Sequence, residues 1–385
     1  MILRKENMHL NENEISRYSR HICLPEIGIK GQLNLKKASV VSIGCGGLAS
    51  PLLMYLAAAG VGRIGIVDND LVEASNLQRQ IIHSTKSIKI KKIESARDRI
   101  LAINPFCRVE VFNTFITNEN ALEILKSFDI ICDCTDNFKS RYLINDACLI
   151  LKKPNIYGSI AKFEGQSTVF NLNSDSPNFR DLIPEPPPPE LLPSCSEGGV
   201  IGVLPGIIGL IQATETIKII TGVGTPLDGK LLVFNALDMN FKKLTLKKNY
   251  PAQEIKQLIN YEEFCNTKIE HSSELEKSCF KQISVKALKD LLNNDSEKIV
   301  LIDVRNEFEN QKNSIQGSIL IPLHNIENGK EIDKIKRISL KKKIYIHCKT
   351  GKRSLKAVKL LRTYGIEASN VVGGINAWEK YEMTN

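Results

Sequence analysis

The sequence predicts an α/β protein whose first domain is a doubly wound, mostly parallel sheet and whose second domain is smaller and also α/β. Three observations carry this. Strand-like and helical runs alternate through the first half, a Gly-rich turn joins the first strand to the first long helix, and a second strand–turn–helix signal lies near residues 343–364. The elements follow in order: a strand over Ala38–Ile43, a helix over Leu48–Ala59 and a strand over Arg63–Val67. Apolar Asp129–Cys134 ends in polar Cys134-Thr135-Asp136-Asn137, and later strands are expected at Gln166–Asn171 and Lys230–Phe234. In such sheets ligands bind at the strands' carboxyl ends.

The most apolar stretch, Gly199–Ile220, contains Pro205, Gln212, Glu215 and Lys218, which are costly in a bilayer, so it is read as a buried helix and no membrane contact is expected. Between Asp175 and Cys195 consecutive prolines predict a long exposed crossover without helix. Residues 1–250 form the first domain, polar residues 251–280 a linker, and residues 281–385 the second domain. There Val300–Arg305 and Lys343–Cys348 read as buried strands and Val285–Leu292 and Ser354–Tyr364 as helices.

With 385 residues, 42% hydrophobic and 25% charged, the chain can bury two cores and is not disordered, collagenous or a coiled coil. Ten cysteines without a C-x-x-C pair give neither a disulfide framework nor a zinc ribbon, which fits a reducing compartment. The N-terminus shows no signal peptide or presequence, so the expected setting is a bacterial cytoplasm or, for a plastid-encoded chain, the chloroplast stroma. Most of the net charge of +9 sits after residue 280, where 20 Lys and Arg face 12 Asp and Glu. This patch could steer an acidic partner or reflect AT-rich coding, since Lys outnumbers Arg 38 to 14; nucleic acid is not the expected partner.

The first chemical constellation is Gly44-x-Gly46-Gly47 between a strand and a helix, with Asp68 at the end of the next strand. Glycines let backbone N–H groups approach phosphates, a helix start adds positive potential, and a carboxylate at that spacing reaches ribose hydroxyls. Alone this would suggest an NAD enzyme. The residues that follow point elsewhere: Asp70, Ser75-Asn76-Leu77-Gln78-Arg79-Gln80, Lys92 and Asp136-Asn137 supply cations and a hard-cation ligand. Hydride transfer does not need them, whereas attack on an α-phosphate does.

At these residues, with Arg17-Tyr18-Ser19-Arg20 before them and Glu197-Gly198-Gly199-Val200 after, the chain resembles the ubiquitin-activating-enzyme-like adenylyltransferases over residues 10–248. The resemblance is closest to the molybdopterin-synthase adenylyltransferases and their thiamine-pathway relatives. It implies a Rossmann-like adenylating fold with Gly44, Gly46, Gly47, Asp68, Asp70, Asn76, Arg79, Gln80, Lys92, Asp136 and Asn137 around ATP. It further implies Asp136 on Mg2+ and a homodimer in which Arg20 reaches the neighbouring subunit's site. The implied substrate is the C-terminal glycine carboxylate of a small ubiquitin-like sulfur-carrier protein. Many relatives hold zinc with two C-x-x-C pairs; here those positions read Asn178–Asp181 and Tyr250–Gln253, so no zinc is expected. Cys195 matches a crossover cysteine that can link to the carrier in some relatives. A tolerated loop cysteine is the alternative.

The second constellation is His347-Cys348-Lys349-Thr350-Gly351-Lys352-Arg353-Ser354 between a strand and a helix. Backbone N–H groups, the helix start and the charges of Lys349, Lys352 and Arg353 are expected to stabilise a Cys348 thiolate. With Asp303, Arg305 and the closing Gly373-Gly374-Ile375-x-x-Trp378, residues 281–382 resemble a rhodanese domain, implying a Cys348 persulfide. A cysteine phosphatase is the rival, but four residues separate Cys348 from Arg353 here where phosphatases place five. Asp303 and Arg305 read as a scaffold ion pair.

Together the resemblances imply ATP-dependent adenylation of a sulfur carrier, with sulfur from an upstream persulfide donor passed through Cys348 to form a thiocarboxylate in molybdenum-cofactor synthesis. The alternatives are the same chemistry on a thiamine-pathway or transfer-RNA-thiolation carrier, or a non-catalytic docking protein.

Overall fold

The structure, a computed structural model, describes residues 9–187, 199–249, 255–265 and 280–384. The chain divides into two compact units; of the described residues, the first holds 9–187, 199–249 and 255–265 and the second holds 280–384.

The first unit is built on an eight-stranded sheet in the order β3-β2-β1-β4-β5-β6-β7-β8. Its strands are β1 (Ser39–Ile43), β2 (Arg63–Val67), β3 (Arg108–Phe112), β4 (Ile130–Asp133), β5 (Asn155–Ala161), β6 (Glu164–Phe170), β7 (Lys230–Asn235) and β8 (Asn240–Thr245). Pairings from β3 through β5 are parallel; β6, β7 and β8 extend the sheet antiparallel. Chain order reverses between β1 and β4, which opens a crevice at their carboxyl ends. Side chains of β1 alternate between two cores because a strand's side chains change face at every residue. Val40 joins Ile64, Ile66, Leu52 and Leu56 on one face, and Val41 and Ile43 join Leu125, Phe128 and Ile144 on the other. Helices cover both faces, as the doubly wound reading requires.

The apolar stretch after the crossover forms the helix Leu204–Thr221, starting five residues later than expected with Pro205 in its first turn. Its polar residues are internally satisfied. Gln212 donates to the carbonyls of Asp133 (2.9 Å) and Ile156 (3.0 Å), and Glu215 accepts from the Leu227 N–H.

Two expectations need correction. The crossover is not wholly irregular or exposed: Asn178 caps a helical turn at Phe179–Leu182, and Phe179 and Arg180 are buried. Nor does the first unit stop at residue 250, because Tyr261, in a helical turn at residues 261–265, is buried in its core. In both cases a tertiary partner far along the chain, Asp146, overrides local composition.

The second unit holds a five-stranded, all-parallel sheet ordered β11-β10-β12-β13-β9. Its strands are β9 (Gln282–Ile283), β10 (Ile299–Asp303), β11 (Ser318–Leu320), β12 (Lys343–His347) and β13 (Ala368–Val371). Helices Val285–Asn294 and Lys352–Thr363 match the expected runs within two residues. Among the described residues no helix is long and apolar enough to cross a membrane.

Candidate active sites

In the first unit β1 delivers its chain into residues 44–48 at the sheet's switch point. Gly44 has φ +96°, and a Cβ there would lie 2.9 Å from the Cys134 carbonyl oxygen, so only glycine fits between β1 and β4. Gly47 abuts Pro205, whose ring would stand 3.0 Å from an added Cβ. Three loop carbonyls are tied back. The Ser42 hydroxyl donates to Gly44 O (2.8 Å), His83 Nε2 to Cys45 O (3.1 Å) and the Ser50 hydroxyl to Gly46 O (2.8 Å). Among the described residues the N–H groups of Gly46, Gly47 and Leu48 make no hydrogen bond to another protein group, leaving donors at a helix start.

A cavity of about 210 Å³ opens over this loop. Gly44, Gly46, Gly47, Asp68, Asp70, Arg79, Gln80, Lys92, Asp136 and Asn137 all line it, so ten residues singled out in the sequence converge. Asp68 accepts from the N–H groups of Cys45 (2.7 Å) and Asp70 (2.8 Å), and burial raises its carboxyl above the usual range against the opposing pull of Lys92. Lys92 reaches Asp70 (2.7 Å), a partner more than half exposed that holds it weakly. Asn137 caps the helix Phe138–Leu151 by accepting from the Ser140 N–H. Asn76 and Arg20 do not line the cavity. Asn76 caps a short turn by accepting from the Glu73 N–H, and Arg20 lies exposed on the helix Ser19–Ile22.

Sequence reasoning missed Arg141 and His83. Arg141 lines the cavity, buried on Tyr157, Ser159 and the Thr135 carbonyl, with its Nε unpaired. Gln80 Oε1 is a second orphaned polar atom in the wall. His83 is kept neutral, burial lowering its pKa against the Cys45 carbonyl, and its other nitrogen meets Ser95. Its signal was available only as a histidine shortly after the Arg79-Gln80 pair. For a divalent cation the residues present fit: the exposed Asp136 carboxylate lines the same cavity as Arg79 and Lys92, and magnesium needs one or two carboxylates plus phosphate and water.

Of the two segments where no zinc-binding cysteines are found, Tyr250–Gln253 lies outside the described residues, and Asn178–Asp181 takes part in a polar clasp. Arg180 donates to both oxygens of Asp146 (3.0 and 2.7 Å), Tyr261 donates to Asp146 (2.7 Å), and Asp181 accepts from the Asn249 N–H (2.6 Å). The Arg180 guanidinium also packs over the rings of Tyr142 and Phe264. Cys195, with Glu197 and Gly198, lies outside the described residues.

In the second unit β12 ends at His347 and places Cys348 at the floor of a loop, fully buried. The Gly351 N–H donates to Sγ (3.1 Å), and the Ser354 hydroxyl lies 3.4 Å from it. Gly351 has φ +94° and caps the helix Lys352–Thr363; an added Cβ would meet Gly373 N at 3.1 Å. The three cations expected to stabilise the sulfur's charge sit as follows. Arg353 makes a bidentate pair with Glu309 (2.7 Å twice), while Lys349 and Lys352 point into solvent as exposed side chains. Asp303 and Arg305 form the buried pair read from the sequence (2.7 Å). Burial raises the Asp303 pKa, but Arg305, His347 and Asn310 outweigh it and hold the carboxyl below its ordinary value. Cys45, Cys132 and Cys134 are buried, and burial pushes their thiols up, as packing residues should be.

Comparison with known proteins agrees with both halves. Residues 18–255 match the ThiF family and residues 284–381 the Rhodanese-like domain. A probable adenylyltransferase/sulfurtransferase MoeZ of Mycobacterium tuberculosis is 43% identical, over 96% of this chain and 94% of its own. A probable molybdopterin-synthase adenylyltransferase of Porphyra purpurea is 40% identical over 95% and 93%. A sulfur carrier protein adenylyltransferase of Thermus thermophilus is 46% identical over 67% of this chain and 99% of its own. Among solved structures, Escherichia coli MccB with MccA-N7isoASN shares the fold at TM-score 0.55 and 20% identity, covering 64% of this chain and 76% of that one. The chain therefore belongs to the ThiF family, and it is an adenylyltransferase that carries a rhodanese sulfurtransferase domain.

Proposed function

We propose that the first unit uses ATP to adenylate the C-terminal glycine carboxylate of a small ubiquitin-like sulfur carrier, and that the second supplies sulfur through a Cys348 persulfide. The observation that carries this reading is the convergence of Arg79, Lys92 and Asp136 on one cavity above the unpaired N–H groups of Gly46 and Gly47. The carrier carboxylate attacks the α-phosphorus, the α–β bond breaks and pyrophosphate leaves. Arg79 and Lys92 hold the crowded anion, Asp68 orients the ribose and Asp136 holds Mg2+. Bound there, Mg2+ supplies Lewis-acid stabilisation of the phosphate charge. The Cys348 persulfide then attacks the acyl carbon and AMP leaves. Cleavage of the resulting S–S bond by a thiol, Cys195 or an external one, frees the thiocarboxylate.

An upstream persulfide donor must recharge Cys348. Arg20 lies off its own cavity, which supports a homodimer in which it serves the partner's site. The carrier is assigned to molybdenum-cofactor synthesis on the name of the Porphyra relative, and the compartment to a bacterial cytoplasm or the chloroplast stroma. The name of the Thermus relative, a sulfur carrier protein adenylyltransferase, keeps the thiamine and transfer-RNA carriers as the second reading. The test is thiocarboxylate formation on each purified carrier with ATP and a persulfide donor, read by intact mass. A 16 Da gain, roughly the exchange of oxygen for sulfur, on the molybdopterin-synthase small subunit alone is expected. Gain on another carrier alone would reassign the pathway, and gain on none would overturn the reading.

A further inference from the structure

Three carboxylates line the nucleotide cavity, and two of them are engaged: Asp68 accepts from the Cys45 and Asp70 N–H groups, and Asp70 pairs with Lys92. Asp136 is exposed and makes no hydrogen bond or ion pair among the described residues. Its place is therefore set by the backbone on either side of it. The Cys134 N–H donates to the Ile43 carbonyl (3.0 Å), which ties the chain to the end of β1. Thr135 is gripped from two directions. Asp133, at the end of β4, accepts from both the Thr135 N–H (2.9 Å) and the Thr135 hydroxyl (2.6 Å) through one oxygen. Arg141 donates to the Thr135 carbonyl (3.1 Å) and is anchored in turn on Ser159 (2.9 Å) and Tyr157 (3.2 Å) of β5. Beyond Asp136, Asn137 caps the helix Phe138–Leu151.

The grip on Thr135 is costly to build. Asp133 is 1% exposed, and its second oxygen has no hydrogen-bond partner among the described residues, nor has the buried Arg141 Nε. A buried carboxylate with an unmet oxygen opposes folding unless other bonds offset it. The two that Asp133 does make are charge-assisted, the strong kind, and both act on one residue. Asp133 does not line the cavity, so its carboxylate is not available to a ligand there. We propose that Asp133 and Arg141 are positioning residues that clamp Thr135 from opposite sides and thereby aim the Asp136 carboxylate for Mg2+. The inference rests on the reading of Asp136 as the magnesium-holding acid and deepens it. It gives β4 and β5 a part in metal capture through a residue that touches neither the metal nor the nucleotide.

The experiment measures ATP binding to the full-length protein by titration calorimetry, once in EDTA and once in excess Mg2+, without carrier and so without turnover. The ratio of the two affinities is the gain that Mg2+ brings. Thr135→Val keeps the side-chain shape and charge but removes the hydroxyl donor; it should lower that gain about tenfold while the affinity in EDTA stays within about twofold. Thr135→Ser restores the donor and should restore the gain. A general loosening of the fold would weaken both affinities alike, so an equal loss in EDTA and in Mg2+ would overturn the proposal, as would an unchanged gain in Thr135→Val or a loss that serine does not rescue. If Thr135→Val fails to fold by circular dichroism, Thr135→Ala removes the same donor with less bulk, and an unchanged gain there would overturn the proposal instead. Asp136→Asn tests the underlying reading: a gain that survives it would refute the magnesium assignment and this inference with it. A gain lost in Asp136→Asn but kept in Thr135→Val would overturn this inference alone.

Discussion

The loops at residues 44–48 and 348–353 solve opposite problems with one device. Each leaves the carboxyl end of a parallel strand, turns on a glycine with φ near +95° and enters a helix. The first keeps its donors unpaired beneath a cavity of about 210 Å³. The second folds around its own sulfur and leaves the Cys348 side chain fully buried. One is left open and, on the proposed function, cradles the phosphates of ATP; the other is filled by an atom already there. Strand–glycine–helix geometry thus fixes where a group sits, while the side chains fix whether that place is left open or filled by the protein itself.

The strongest way to break this comparison is to remove each loop's reactive group. Cys348→Ala should lower thiosulfate sulfur transfer by at least about a thousandfold. Asp136→Ala should lower carrier-dependent pyrophosphate exchange on the order of a hundredfold. Each should leave the other activity intact, measured on the same preparation; loss of both in either variant would mean that the loops do not work separately.

The scaffold under each loop offers a second contrast, since the described residues of each unit include a buried bidentate Arg–Asp pair. Arg180→Ala should destabilise the first unit and Arg305→Ala the second, each by about 3–5 kcal/mol, because a buried carboxylate is left unpaired. Urea unfolding followed by unit-specific hydrogen exchange should show the losses in separate units. Smaller effects come from the turning glycines. Gly44→Ala and Gly351→Ala should each cost about 1–2 kcal/mol from the left-handed backbone alone. The first should raise the KM for ATP, and the second should alter iodoacetamide labelling of Cys348.

The smallest effect concerns two buried histidines. Burial lowers the pKa of both His83 and His347 below its ordinary value of 6.5. Between the folded and unfolded values the unfolded chain binds more protons, so stability is present above about pH 6.5 and lost as pH falls below it. His83 is held by two hydrogen bonds, whereas neither ring nitrogen of His347 makes a hydrogen bond among the described residues, Nε2 lying 3.9 Å from an Asp303 oxygen. His347→Gln should therefore flatten the acid limb of the second unit's stability in thermal melts at pH 5–7. An unchanged slope would assign that limb to other groups.

Much of both loops could be read in the chain because their signals are local. Apolar runs such as Ser39–Ile43 and Lys343–His347 are short, buried and bounded by glycine or polar residues. Strand β8 gave no such signal, since all six residues of Asn240–Thr245 are exposed and only pairing with β7 makes it a strand. Arg141 reads as a surface residue of a helix until β5 places Tyr157 and Ser159 against it. The Arg180–Asp146–Tyr261 clasp was equally invisible, because its members lie 34 and 115 residues apart and each would be ordinary alone.

The carbonyl ties made by Ser42, His83 and Ser50 have a kinetic consequence. A loop whose acceptors are already engaged has little conformational freedom left to surrender, so on the proposed function preorganisation lets nucleotide capture proceed without an ordering step of residues 44–48. The entropy of shaping that surface is spent during folding, and desolvation of the phosphates is left as the main resistance to their entry.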